Sequence, residues 1–390
     1  MQAIDAVLRR AVEAEDLPFV VAMVGNAGGT LYSGAFGEAA AGRPAAEDTV
    51  FRLYSMTKAV GATAAMILIE RGRLAMDTPV ADVLPRAAGL RVLEGFDGDR
   101  PRLRAPKTPL TVRHLASHTS GLVYEFWNPD MARYLESGGR PSVLSGRAAG
   151  LDYPLVFDPG ARWDYGIGID WLGQVVEAVD GRPIDRFCAE EIFAPLHMAD
   201  TGFELDAARA ARLAEVRMRR RDGSFRPHEM APPPRPEVYG MGHALYGTAP
   251  DYLRFLRMFL NRGALDGRRI LSPDGVAHML ANAIGALSVE RMTSVAPPLS
   301  ADVELFPGIR KTHSFGFMRT EEDVPGMRRA GAQGWAGVCN THYWLDPASD
   351  VAAVLMTQSL PFVEPRFAAV YEAYERAVYA HLVGRAPQAA

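Results

Sequence analysis

The sequence predicts an α+β fold, an antiparallel sheet flanked by helices and built from both chain ends, with a mostly helical section between them. Three observations carry this expectation. Near the N-terminus a helix pattern precedes two strand-like runs; near the C-terminus three strand-like runs precede a helix; the section between is poor in strand signals. The expected boundaries place residues 1–78 and 235–390 in one discontinuous α/β domain and 79–234 in a helical one. The groove where the two meet is the expected place for a site.

Taken in order, Met1 to Arg10 reads as an amphipathic helix. Phe19 to Val24 and Thr30 to Phe36 read as strands joined by Asn26-Ala27-Gly28-Gly29, the composition of a hairpin turn. Val50 to Tyr54 is a short strand-like lead into a helix running from Ser55 to Glu70, closed near Gly72. In the middle section, Val112 to Ser117, Asp170 to Val179 (stopped by Asp180-Gly181) and Ile184 to Phe193 carry the helix signals, and the proline-rich stretch around 232–236 marks its edge. Thr248-Ala249-Pro250-Asp251 has the form of a capping box opening a helix to about Leu260. Ser314 to Arg319, Val338 to Leu345 and Val351 to Gln358 read as strands, the last two separated by the turn Asp346 to Asp350. A helix over Pro365 to Leu382 follows.

Ser55-Met56-Thr57-Lys58 is the stretch with chemistry. A serine hydroxyl needs a base within hydrogen-bonding reach to act as a nucleophile at neutral pH. Helix positions three apart lie ~60° apart on one face, so Ser55 and Lys58 project side by side. The following helix is apolar almost all round, which describes a buried helix. Burial disfavours a charged lysine, and the helix N-terminus acts in the same direction, so Lys58 is expected to be a usable base. Only three lysines occur in the chain, Lys58, Lys107 and Lys311.

The totals exclude several classes. A net charge of −4 gives no basic excess for nucleic acid, and Arg217, Arg219, Arg220 and Arg221 read as a solvated loop margin. Cys188 and Cys339 form no Cys-x-x-Cys pair, so neither a disulfide framework nor a zinc knot is indicated. The N-terminus lacks the pattern of a signal peptide, and no apolar run approaches the ~20 residues that span a bilayer. The expectation is a cytoplasmic protein without membrane or nucleic-acid partners, its oligomeric state undetermined.

Two further segments fit a site. Phe157-Asp158-Pro159-Gly160 to Gly166 reads as a tight turn delivering Tyr165 just before a helix, where a phenol could relay the serine proton. Gly334 to Val338 offers small residues before a strand, where a backbone N–H could meet an oxyanion. In this order, Ser55-x-x-Lys58, His118-Thr119-Ser120-Gly121-Leu122, Pro159-Gly160 with Tyr165, and Trp335-Ala336-Gly337 resemble the serine β-lactamase and penicillin-binding-protein superfamily. The branch it looks most like is the family VIII carboxylesterases, esterases with the class C β-lactamase fold.

The resemblance implies that Ser55 is the acylated nucleophile, Lys58 the base and Tyr165 the proton relay. It also implies an oxyanion hole from the backbone N–H groups of Ser55 and Val338, with no cofactor and no metal. Class C β-lactamases carry Tyr-x-Asn and Lys-Thr-Gly where this chain has Tyr165-Gly166-Ile167 and Trp335-Ala336-Gly337. Ile167 and Trp335 are therefore expected to make an apolar pocket suited to short neutral esters, with Ala336, Gly337, Tyr124, Phe126 and Tyr239 as further pocket candidates. Lys311-Thr312-His313 lacks the glycine and is set aside as a stand-in.

Other readings stay open. A class C-like β-lactamase or D,D-peptidase, an acyltransferase sharing the acyl-enzyme, and a non-catalytic binding member of the fold all fit the resemblance. A Ser-His-Asp hydrolase lacks its Gly-x-Ser-x-Gly elbow here. His114 and His118 are four apart, but no glutamate follows His114, so they are expected to be structural rather than zinc ligands.

Overall fold

A computed structural model describes residues 1–230 and 235–383. The proposed boundary at Pro232-Pro233-Pro234 lies outside them. Eight strands form the main sheet: β1 (Phe19–Gly25), β2 (Thr30–Ala40), β3 (Arg43–Pro44), β4 (Lys311–His313), β5 (Met318–Thr320), β6 (Gln333–Gly337), β7 (Thr341–Asp346) and β8 (Val351–Met356). Their order is β4-β5-β6-β7-β8-β1-β2-β3, every neighbour antiparallel. Both chain ends thus meet in one sheet, with Val21 opposite Met356. The β1–β2 turn is held by Asn26, whose Oδ1 accepts from the amides of Gly28 (2.9 Å) and Gly29 (3.0 Å).

Five helices frame this sheet and the site: α1 (Gln2–Glu13), α2 (Thr57–Glu70), α3 (Gly168–Asp180), α4 (Ala249–Leu260) and α5 (Pro365–His381). Strand side chains alternate between faces. Val20, Ala22 and Val24 of β1 share a core with Ile4, Leu8 and Ala11 of α1 and with Phe367, Tyr374 and Val378 of α5. Phe19, Val21 and Met23 face the other core, which holds α2 and α4. With apolar residues on both faces covered, every residue of β1 is buried.

Helix α2 is the axis of that second core. Every residue from Thr57 to Leu68 is buried, as its all-round apolar pattern predicts. It lies close to α3: a Cβ on Gly61 would stand 3.0 Å from Ile169 Cγ2 and 3.0 Å from Met241 Cβ. Removing a leucine such as Leu68 from a core of this kind costs about 2–5 kcal/mol.

Several local expectations are corrected. The run Ser314 to Arg319 is not one strand, because Ser314 to Phe317 forms the turn between β4 and β5. Trp335-Ala336-Gly337 lies within β6, and Val338 falls in the β6–β7 turn rather than on a strand. The middle section holds two hairpins that its sequence hides, Val92–Asp97 with Arg100–Arg104 and Arg217–Arg219 with Phe225–Pro227. Both are short and rich in arginine and proline, which masks the alternation that marks a strand. The arginine run is correspondingly not all solvated. Arg219 pairs with Glu364 and donates to the carbonyls of Glu15, Asp16 and Gly223, each at 2.8 Å; Arg220 and Arg221 are exposed.

Candidate active site

The segment ahead of Ser55 is clamped from two sides. Phe51–Arg52 pairs with Tyr246–Gly247, and the Leu53 amide donates to Leu245 O at 2.9 Å. From the sheet side, Thr341 Oγ1 donates to Leu53 O at 3.3 Å. Gly337 comes so near that a Cβ there would stand 2.3 Å from Leu53 O, which explains why this position is a glycine. Tyr54 then adopts φ 45°, the left-handed region a non-glycine residue avoids, at a cost of about 1–3 kcal/mol. That bend turns the chain into the single 3₁₀ turn Tyr54–Met56, from which Ser55 projects, half-buried, at the foot of α2.

Lys58 lies inside the first turn of α2 and is 1% exposed. Its Nζ donates to Ser55 Oγ (3.0 Å), Tyr124 OH (3.0 Å) and Gly242 O (2.8 Å). Burial lowers its pKa to about 7, with the Asp170 carboxylate pulling in the opposite direction. An amine so placed is partly unprotonated near neutral pH, as a general base must be.

Tyr165 enters from the segment preceding α3. Its hydroxyl donates to Ser55 Oγ at 2.6 Å and accepts from Trp335 Nε1 at 3.0 Å. Burial raises its pKa, while the contacts with Ser55 and Trp335 oppose the rise. The phenol therefore stays protonated and can serve as a proton donor. Behind it sit His118 and His313, ring centroids 5.0 Å apart. Burial holds His118 well below its usual range and brings His313 down to about 4, so both are neutral.

The other expected site residues are dispersed. Tyr124 and Phe126 line the small cavity at Ser55, about 20 Å³, together with Val338, Tyr54, Trp127, Leu144, Met230, His243 and Leu299. Tyr124 is more than wall, since its hydroxyl meets Lys58. Trp335 stands behind Tyr165 and borders a separate cavity of about 410 Å³. Ile167, expected in the pocket, is fully buried in the core, its amide donating to Leu122 O at 3.1 Å. Ala336 and Gly337 are buried strand residues. Tyr239 lines a cavity of about 300 Å³ and hydrogen-bonds Glu204. That cavity shares Leu144, His243, Ala244 and Tyr246 with one of about 90 Å³, and Leu144 and His243 also border the Ser55 cavity.

His114 works locally: its Nδ1 accepts from the Thr111 amide, and its own amide donates to Thr111 Oγ1, closing a capping box. Among the described residues no group of three or more His, Cys, Asp or Glu is placed to hold a metal ion. Nor is any helix among them long and apolar enough to cross a membrane. Sequence reasoning missed Asp170, Gly242 and His243, although an acid amid the apolar residues of α3 and the doublet Gly240-Met241-Gly242 were signals available to it.

A serine in hydrogen-bond contact with a lysine one helical turn on and with a tyrosine from another segment, set beside an antiparallel sheet flanked by helices, defines a serine enzyme of the β-lactamase and penicillin-binding-protein fold. The sequence matches the Beta-lactamase family over residues 4–377. The chain belongs to that family. It is 30% identical to monacolin J acid methylbutanoyltransferase of Aspergillus terreus, covering 96% of this chain and 95% of the relative. It is 29% identical to lovastatin esterase of Penicillium rubens, covering 82% of each. Among solved structures, the LovD6 mutant of simvastatin synthase (LovD) from Aspergillus terreus superposes with TM-score 0.83 at 29% identity, over 97% of this chain and 96% of that one. The protein is thus an enzyme of the serine acyl-enzyme type. These relatives do not single out the carboxylesterase branch.

Proposed function

We propose that the protein is an acyltransferase that carries an acyl group on Ser55 from an ester or thioester donor to an alcohol. The observation that carries this reading is the Lys58–Ser55–Tyr165 contact, 3.0 and 2.6 Å, in a chain whose full-length relative is named a methylbutanoyltransferase. Ser55 Oγ attacks the donor carbonyl and gives its proton to Lys58. The tetrahedral oxyanion is held by the N–H groups of Ser55 and Val338, each such donor contributing about 3–4 kcal/mol. The C–O or C–S bond breaks, the leaving group takes the Tyr165 proton, and the phenol is reprotonated from Lys58. The acceptor hydroxyl then attacks the acyl-serine by the same path reversed: its proton goes to Tyr165 as the phenol's own proton goes to Lys58, and Lys58 returns a proton to Ser55 Oγ as the acyl–serine C–O bond breaks.

The test is product analysis. Purified protein is given a butyryl thioester or p-nitrophenyl butyrate with increasing amounts of a hydrophobic secondary alcohol. The butyrate ester of that alcohol should become the main product, and Ser55→Ala should make none. Free butyrate alone at every alcohol concentration would refute transfer.

That outcome would favour a second reading, a carboxylesterase acting on short neutral esters. It draws on the relative named lovastatin esterase and on a Ser55 cavity whose lining is apolar or aromatic apart from Ser55 and His243. Hydrolysis and transfer share the acyl-enzyme and differ in whether water or an alcohol reaches it.

A further inference from the structure

Asp170 stands on the first turn of α3 with its side chain 0% exposed. Its Oδ1 accepts from the Gly242 amide at 2.9 Å, and its Oδ2 has no hydrogen-bond partner among the described residues. His243 Nδ1 lies 3.2 Å from Oδ1, but makes no hydrogen bond with it. The loop is moulded around this carboxylate. A Cβ on Gly242 would lie 2.3 Å from Oδ2, and one on Gly240 would lie 2.6 Å from Oδ1. The opposite end of the Gly242 residue, its carbonyl, accepts from Lys58 Nζ at 2.8 Å. One residue therefore joins the buried acid to the buried amine.

A buried carboxylate with an unused oxygen is costly unless a positive charge compensates it. Lys58, joined to it through Gly242, is the amine on which its charge acts. The other ionisable groups facing Lys58 are Tyr124 and Tyr165, held protonated by burial, and His118 and His313, held neutral by it. None of these supplies a negative charge, and His243 is the group that faces Asp170 itself. We infer that Asp170 is a positioning residue for Lys58: through Gly242 it aims the amine at Ser55, and its charge governs how readily that amine releases its proton. The acid is a counterweight to burial, keeping the base from being neutral too far below the working pH.

The inference rests on Lys58 acting as base, and its first measurement needs no substrate. Protein labelled with ¹³C at lysine Cε carries only three lysines, Lys58, Lys107 and Lys311, and Lys58→Arg identifies the Lys58 signal. Asp170→Asn should move the Lys58 titration midpoint down by about one pH unit, since a nearby opposite charge is removed. The acid limb of kcat/KM should move with it, a readout a merely structural role would not shift. An unmoved midpoint in folded variant protein overturns the inference. Asp170→Ser, which keeps an acceptor without charge, takes the same measurement should the asparagine variant not fold. Failure of both to fold would assign Asp170 to holding the loop alone and overturn the inference too. Either result leaves the transfer reaction to be decided by its products.

Discussion

The indole N–H of Trp335 donates to the hydroxyl of Tyr165 at 3.0 Å. That bond orients the phenol so that its own proton points at Ser55. Trp335→Phe keeps most of the ring and removes the donor. A neutral hydrogen bond is worth about 0.5–1.5 kcal/mol net, so kcat should fall about 3- to 10-fold. KM should stay nearly constant, because Trp335 does not border the Ser55 cavity. Steady-state kinetics on a butyrate ester checks this; a raised KM at unchanged kcat would return Trp335 to the substrate wall.

The pH dependence follows from Lys58. Its pKa is lowered to about 7, and only the unprotonated amine can take the serine proton. Activity should therefore fall as pH drops through 7, about tenfold per unit well below it, and level off above. A kcat/KM profile that keeps climbing beyond pH 9 would transfer the base role to the Tyr165 phenolate.

Ser55→Ala should abolish acylation while leaving the fold intact, read by intact mass after treatment with a serine-reactive phosphonate. Lys58→Ala should be comparably severe, since groups acting as one unit are not additive. Tyr165→Phe should cost about 10²–10⁴ in rate, the range for a general acid–base group. A Lys58→Ala protein keeping a tenth of wild-type activity would show that the base lies elsewhere.

Cephalosporins should be poor substrates. Their carboxylate needs a cation, and among the described residues no lysine or arginine lines the Ser55 cavity itself, Arg52 bordering only the adjoining one of about 90 Å³. Burying that charge unpaired is unfavourable. A butyrate ester should exceed nitrocefin by about 10³ in kcat/KM, roughly 4 kcal/mol. Equal rates would reveal a cation reaching the groove and favour the β-lactamase reading.

Much of this was legible from residue pattern. The apolar girdle of α2 announced a buried helix, and the spacing of Ser55 and Lys58 announced their contact. Ile167 and Trp335 mark the limit of motif comparison, because a substitution in a motif shows which residue changed but not where its side chain points. Ile167 turns into the core and Trp335 sits behind the tyrosine. Asp170 went unread because an acid in the first turn of a helix has an ordinary explanation, favourable interaction with the helix dipole. Only its contact with the distant Gly242 shows otherwise. Val338 and Cys339 carry the apolar run of β6 on into the turn, so hydrophobicity does not mark where the strand ends; the break is at Asn340, with φ 61°.

The pairing of Val21 with Met356 and of Gly25 with Ala352 also sets the order of events in synthesis. As the chain leaves the ribosome, β1 can pair at once with β2, but its other edge waits for β8, separated from it along the chain by the stretch from Gly25 to Val351. Until then α2 has no completed sheet to rest on, and the nucleophile cannot be held in its final geometry. Closing so long a loop is entropically costly and slow, and the waiting edge is open to wrong partners. Helices α1 and α5 share one core at the chain ends. A circular permutant joining those ends would turn this late, distant pairing into an early, local one, and should refold faster than the natural chain order.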